Sequence, residues 1–457
     1  MKFSSSKVSS AADTCGVANM NCSKGTRKTI SQRLSNRKIV VDVLALMFGM
    51  GAWMGINGIF VQLPLLVNNT PEGWNLPAYM VILVQVANLG PILYTLYVKY
   101  TRRRYDHLII YGLLGTAALS TFALICSYDK TSVIFGGEHS TVLLGLMFLI
   151  AVVGCTSSVL FMPYMRNYRE IYLLSYLVGE GLSGFVPSIV ALVQGVGGNP
   201  ECVNATIPEI GATKVARYPD PRFSTQTFFV FLGISLSLSF LAFVGLNKLP
   251  VARGERVKPP SSMETLPTDM NSPPSYKTTA GWSMSRETYL YLLAMMALVC
   301  VLGHGTLPSI QSYSCLPYGN VAYHLTVTLA SMAGPLAMCL GFVIQEPKVC
   351  LLTGLMTLVL VFSSFVYYVA VKSPSPPLRG TWLGEFLVVT SWIIVNGLIG
   401  FIKMAITTLF RSDPGKGLYY TGVATQVGSV VGAVITFVLV NYAGIFHSYS
   451  PCSSAKN

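Results

Sequence analysis

Eleven apolar runs constrain this chain more than any other feature, since each is long enough to cross a bilayer core that needs about 20 helical residues. They lie at about 39–67, 78–98, 107–127, 141–163, 171–196, 224–246, 288–308, 321–344, 349–371, 381–410 and 417–441. Barrel strands alternate in polarity over about ten residues and these runs do not, so they are read as helices. Charged residues make up 11% of the 457 positions, against about 25% in a soluble domain. The expected fold is an all-α polytopic membrane protein, which excludes a water-soluble enzyme of several domains.

A net charge of +13 would suggest nucleic acid in a soluble protein. In a membrane protein, basic residues collect instead in cytoplasmic loops. With the N-terminus inside, the inner segments from Lys24 onward hold 21 Lys and Arg, among them Arg102 to Arg104 and Arg253, and the outer segments hold 7. This predicts a cytoplasmic N-terminus and, after an odd number of spans, an extracellular C-terminus. No apolar stretch precedes Ile39, so no cleavable signal is visible and the first span is expected to serve as targeting signal.

The longest polar stretch between spans divides the helices six and five. The expected organisation is a disordered cytoplasmic tail at 1–38 and a first bundle at 39–246, then a cytoplasmic linker at 247–287, a second bundle at 288–441 and an extracellular tail at 442–457. Within the linker, Pro273-Pro274-Ser275-Tyr276 has the form of a ligand for WW domains. Two sequons fall in outer segments, Asn204-Ala205-Thr206 and, close to the membrane, Asn68-Asn69-Thr70. Both asparagines are candidate glycosylation sites. Cys202 and Cys315 are also expected outside and form a candidate disulfide, although sequence does not fix their separation.

Polar groups inside a span are costly and usually face a cavity or a helix partner. In the first span Trp53, Asn57 and Phe60 stand at i, i+4 and i+7 on one face, beside the small-xxx-small pair Gly51 and Gly55. The second span offers Gln85 and Asn88, three residues apart. The fourth contains Ser157 within Cys155-Thr156-Ser157-Ser158, a cluster that a helix can satisfy with its own carbonyls. Glu180, in the fifth, shares a stripe with Ser183, Pro187 and Gln194 and is the one acidic residue deep in a span. His304 lies between two glycines in the seventh, and the tenth carries Trp392 and Asn396, with Lys403 seven residues on, near enough to the inner end to snorkel. Glu180 and His304 are the candidate proton-linked groups.

The chain has no GxxxxGK[ST] loop, which disfavours ATP-driven transport, and no HExxH, CxxC or GxSxG motif. No acid–nucleophile–base set assembles, so no enzymatic activity is expected. Indoles, amides and hydroxyls with few fixed charges suit a neutral, partly planar solute rich in hydrogen-bonding groups.

At these residues the chain resembles the animal riboflavin transporter family of solute carriers. The resemblance is carried by FGMGAWMGINGIFVQLPLLVNNTPEGWNLPAYMVILVQVANLGPILYTL in the first two spans and VGEGLSGFVPSIVALVQG in the fifth. It continues through LPSIQSYSCLPYGNVAYHL across the seventh and eighth and SWIIVNGLIGFIKM in the tenth. What it implies is facilitated uptake of riboflavin, the transported substrate rather than a cofactor, across the plasma membrane. The implied fold is similar to equilibrative nucleoside transporters, a six-plus-five variant of the major facilitator architecture. In that architecture spans one, four, seven and ten line the cavity, which implies lining roles for Trp53, Asn57, Phe60, Ser157, His304, Trp392 and Asn396, with Gln85, Asn88 and Glu180 beside them. Three departures stand out, the first being His304, which replaces what is commonly a neutral amide position. The family often has Glu where this chain has Gln62, and some relatives carry a cysteine before the tenth span where this chain reads SPSPPLRG, so that loop has no thiol for Cys452.

Overall fold

The computed structural model describes residues 37–101, 105–134, 136–196, 198–207, 211–257, 284–339, 348–411, 417–448 and 452. The expected tail, Pro273–Tyr276 and most of the linker lie outside them. Among the described residues, ten helices are long and apolar enough to cross a membrane, and a bent pair, Ile39–Met50 and Met54–Val61, makes an eleventh span. The others run through Gly73–Tyr100, Asp106–Ser127, Thr141–Asn167, Ile171–Gln194, Thr225–Lys248, Arg286–Tyr318, Asn320–Met338, Val349–Val371, Trp382–Phe410 and Tyr420–Asn441.

Local chemistry sets several of the span ends. Ser224 and Ser285 cap the sixth and seventh spans, their hydroxyls accepting the Thr227 and Thr288 N–H groups at 3.3 and 3.2 Å. Each cap satisfies a donor that the first helical turn leaves free. Alternation of the spans puts two antiparallel hairpins at the same end of the molecule, here called the hairpin end. One pairs β1 (Ser132–Ile134) with β2 (Gly137–His139), and the other β3 (Glu201–Ile207) with β4 (Gly211–Arg217).

Between helices in lipid the hydrophobic effect gives little, so association rests on close packing. The first and fifth spans pack backbone to backbone: a Cβ on Gly49 would lie 2.1 Å from the Tyr176 carbonyl oxygen, and one on Gly179 2.0 Å from that of Leu46. Beside this contact the fully buried Phe48 ring meets Phe161, Tyr176 and Phe243 with centroids 5.0, 5.5 and 4.8 Å away. The first six spans meet the last five along two seams, the fifth span against the eighth and the second against the seventh and eleventh.

One expectation is corrected at the hairpin end. Cys202 is bonded to Cys452, with Cα atoms 5.5 Å apart, and not to Cys315. Cys315 ends the helix Leu307–Cys315 with no exposed surface, so its thiol faces protein and never reaches the loops. The tail residue left without a partner in the SPSPPLRG loop finds one in the β3 strand.

Candidate functional site

The first span bends by 53° where Gly51-Ala52-Trp53 interrupts the helix. Trp53 is half-buried beside the bend, its indole carbons 3.1 Å from where a Gly154 Cβ would stand on the fourth span. One turn further, the half-buried Asn57 donates from Nδ2 to Ser183 Oγ at 3.3 Å, and that hydroxyl donates to the Glu180 carbonyl at 2.6 Å. Phe60, also half-buried, completes the face.

The seventh span is interrupted too. Arg286–Cys300 passes into a π-helical segment, Val301–Thr306, before Leu307–Cys315 resumes the α-helix. Such wide turns recur at functional sites because they rotate side chains out of the regular helical order. His304 sits in the segment and is solvent-exposed although it lies mid-span. Lys403 Nζ on the tenth span is 2.7 Å from its Nε2, and Ser429 Oγ on the eleventh is 3.3 Å from its Nδ1. An ammonium only donates. The arrangement therefore assigns Nε2 as acceptor and leaves Nδ1–H to donate to Ser429, whose own hydroxyl donates to the Thr425 carbonyl at 2.8 Å.

Lys403 thus turns into the protein to meet His304, where the sequence suggested snorkelling to the inner surface. Glu180 is half-buried on the fifth span. Asn57 and Glu180 in the first half, and His304, Lys403 and Asn396 in the second, are polar groups that lie well inside their spans, here called the polar middle. Asn396 is half-buried and donates to the Trp392 carbonyl at 3.0 Å.

Two other expected lining residues, Ser157 and Trp392, do not offer a surface here. Ser157 is 0% exposed and donates to the Gly154 carbonyl at 2.7 Å. Trp392 is 2% exposed, with its Nε1 donating to Ser314 Oγ at 3.2 Å. Both are packing residues, because their polar atoms are satisfied within the bundle. Gln85 and Asn88 are half-buried at a break in the second span and bond each other at 3.3 Å.

At the hairpin end the two halves are tied across the seams. Ser312 donates to the Trp74 carbonyl at 2.6 Å, Tyr313 donates to Asn75 Oδ1, and the Val321 N–H donates to Asn199 Oδ1 at 3.3 Å. Asn68 Nδ2 donates to the Pro64 carbonyl at 3.0 Å and to Asn320 Oδ1 at 3.4 Å. A sugar on Asn68 Nδ2 would replace one of its two hydrogens and leave a donor for only one of these bonds. Below the seam, Gln62 and Gln194 form a buried pair at 2.7 Å.

A sequence profile described as solute carrier family 52, riboflavin transporter, matches residues 37–448. The chain belongs to this family. Its relatives include riboflavin transporter 2 of Salmo salar, 37% identical over 454 residues, covering 91% of this chain and 99% of that one. Member 3-A of the family from Danio rerio is 35% identical over 443 residues, with the same two coverages. Member 3 from Homo sapiens is 33% identical over 462 residues, covering 91% and 98%.

Among solved structures, a mutant of the nucleoside transporter NupG superposes with a TM-score of 0.51 at 10% identity, covering 88% of this chain and 91% of that one. A bacterial homologue of the human lysosomal transporter Spinster, inward-facing and unoccupied, gives 0.51 at 14% identity, covering 88% and 81%. At such identities the likeness concerns the fold alone, and it agrees with the expected architecture of eleven spans. Membership in a transporter family also fits a chain without catalytic motifs.

Sequence reasoning passed over the glycines that pack the seventh span against the eleventh. Gly428 and Gly432 on the eleventh span are four apart, and Cβ atoms there would stand 2.3 Å from the Ala297 oxygen and 2.5 Å from the Val301 oxygen. A Cβ on Gly305 would meet Gly432 at 2.6 Å. The GxxxG spacing in GSVVG was the available signal.

Proposed function

We propose that this chain carries riboflavin across the plasma membrane by alternating access, without ATP. The observation that carries the reading is the polar middle: mid-span groups on both halves, with exposed His304 among them, beneath a hairpin end tied shut by inter-half bonds. The relatives named riboflavin transporters support the choice of solute. The isoalloxazine stacks on Trp53 or Phe60, and its pyrimidine-like edge and ribityl hydroxyls bond Asn57, Gln85, Asn88 and Asn396. Indole faces suit flat rings and amides supply donors and acceptors together. In this conformation Ser157 and Trp392 support that surface from behind.

The cation excess of one set of loops supports a cytoplasmic N-terminus and an extracellular hairpin end, so the conformation is read as inward-facing. Asn204, on β3 in the extracellular hairpin, is then the glycan acceptor. Glu180 and His304 are the groups able to exchange a proton during the cycle, with Lys403 bonded to His304. The two bundles, 39–246 and 288–441, rock about the seams, and the linker at 247–287 offers Pro273–Tyr276 to a WW-domain protein.

Uptake of radiolabelled riboflavin by expressing cells, followed by counterflow in proteoliposomes without nucleotide, tests the central claim. Exchange of internal for external riboflavin is expected. Uptake at the level of mock-transfected cells, or no counterflow, overturns it.

A further inference from the structure

The end opposite the hairpins holds a cavity of about 390 Å³, within the range of about 300–1,000 Å³ typical of small-molecule sites. It stands where three spans finish. Tyr111 lies near the start of the third-span helix, Asp106–Ser127, Tyr164 ends Thr141–Tyr164, and Asn247 and Lys248 end Thr225–Lys248. The chain then turns through the short helix Pro250–Gly254 and folds back on the first half. There the Val257 N–H donates to the Asn167 carbonyl at 2.9 Å, and Arg253 and Arg256 join the walls.

The walls thus carry three cations, Lys248, Arg253 and Arg256, and no carboxylate. Among the described residues none of the three is in an ion pair, whereas Glu255, beside them in sequence, is taken by Arg169 at 3.0 Å. Their donors are unequally spent. Arg256 supports the wall: Nη2 donates to Asn247 Oδ1 at 2.6 Å and Nε to the Tyr168 hydroxyl at 3.2 Å, with the guanidinium 5.4 Å from that ring's centroid. Tyr164 donates to the same Asn247 oxygen. Arg253 spends only Nε, on the Asn247 carbonyl at 2.9 Å, which leaves its Nη1 and Nη2 hydrogens free among the described residues. Lys248 is exposed and makes no hydrogen bond among them.

Sorting of cations to one side of a membrane fills loops with charge, but it does not gather three on one cavity and keep carboxylates off its walls. Like charges brought together repel, and an anion set between them turns that repulsion into attraction. A guanidinium fork beside an ammonium matches phosphate oxygens. A phosphate monoester, with a charge of about −1.5 to −2 at neutral pH, compensates three cations better than the single charge of a diester. We propose that this cavity binds a phosphate monoester, held by the Arg253 Nη groups and Lys248 Nζ. Two sources carry that group, a phosphoinositide headgroup at the membrane surface and a soluble phosphate ester. Either occupant bridges the end of the sixth span to the segment after it, and so fixes the start of the connection to the second half.

The test titrates a fluorescent short-chain phosphatidylinositol bisphosphate onto the purified full chain in detergent, with unlabelled competitors. Saturable binding is expected, displaced by the unlabelled lipid and not by phosphatidylglycerol, whose phosphate is a diester. Lys248→Gln and Arg253→Gln are each expected to weaken it about fivefold. Lys348→Gln, which removes an exposed cation at the same end but outside the cavity, is expected to leave it unchanged. Should Arg253→Gln fail to fold, Lys248→Gln decides, since that ammonium holds nothing in the protein. Displacement by inositol trisphosphate at the same concentration as the lipid supports the site with a soluble source; displacement by the lipid alone supports it with a membrane source. No saturable binding, equal displacement by phosphatidylglycerol, or equal weakening in Lys348→Gln overturns the proposal. Binding is read without transport, so failure of riboflavin exchange leaves this site standing, and failure here leaves the transport reading standing.

Discussion

Adding one methyl group at Gly432 tests whether the π-helical segment is held in place by backbone contact. In Gly432→Ala the new Cβ would stand 2.5 Å from the Val301 carbonyl oxygen and 3.1 Å from the Gly305 Cα. Neither neighbour is a flexible side chain, so relief requires the seventh and eleventh spans to part by about half an ångström, enough to bring the closest contact to 3.0 Å. Overpacking of this kind costs about 1–3 kcal/mol. The same half ångström would carry the 3.3 Å contact between Ser429 and His304 out of hydrogen-bond range. Gly422→Ala on the same helix is the control, since nothing lies within 4 Å of its added Cβ. Replacing that glycine is expected to stabilise by about 0.5–1 kcal/mol through helix propensity alone. The two alanine variants should therefore differ by roughly 1.5–4 kcal/mol in stability, and only Gly432→Ala should lower riboflavin uptake per carrier at the surface. Thermal unfolding of purified protein with uptake normalised to surface expression reads both quantities. Equal melting temperatures and equal uptake in the two variants would refute the reasoning.

Asn57→Ala should lower uptake more than surface expression, because it removes a half-buried amide and its bond to Ser183; Trp53→Phe should keep more uptake than Trp53→Ala if a ring face is what the solute needs. Trp392→Phe should cost about 1–2 kcal/mol by taking the indole donor from Ser314, with KM unchanged in uptake assays, whereas a large KM rise would return Trp392 to the solute-contacting set. Cys202→Ser should expose the Cys452 thiol to alkylation, detected by mass, and cost about 2–4 kcal/mol; labelling of Cys315 instead would contradict the observed pairing.

The spans were legible because their signal is a summed property: twenty apolar residues outweigh any single misfit. Membership of the polar middle was legible for Asn57, Glu180 and His304, since a lone polar group in an apolar run has few acceptable positions. Its connectivity was not. Lys403 carries the same sequence signature whether it reaches a headgroup or a histidine, and only the rotation imposed by the π-helical turn decides between them. Trp392 and Ser157, expected to line the cavity, are found buried for the opposite reason. Position on a lining span does not fix which face is inward, and their partners, Ser314 and the Gly154 carbonyl, stand within the packed bundle. The Cys202–Cys452 bond joins residues 250 apart in sequence, a pairing that spacing has no means of ranking against Cys315.

The irregular points of the spans follow one rule, which explains why the solute-facing candidates gather there. In hydrocarbon an unsatisfied backbone carbonyl costs several kcal/mol, so a broken helix is tolerated only where neighbouring protein supplies a donor. At the bend of the first span, Ser239 on the sixth donates to the Phe48 carbonyl at 3.3 Å. At the break of the second, the Cys155 thiol donates to the Val84 carbonyl at 3.6 Å. At the π-helical turn of the seventh, Ser309 donates to the Gly305 carbonyl at 2.9 Å. Trp53, Asn88 and His304 stand beside these three points, each supported from a neighbouring helix or turn. Removing a supporting hydroxyl should therefore act on transport without touching the solute: Ser239→Ala leaves the Phe48 carbonyl with the Gly51 N–H alone, at 3.2 Å, and loosens the bend that sets Trp53. A rise in riboflavin KM in Ser239→Ala, absent in Ser237→Ala, whose hydroxyl bonds only its own helix at Gly233, would tie that bend to the site. Equal KM values in the two variants would mean that the bend is held by packing, and that Trp53 owes its position to Gly51 and Gly154 instead.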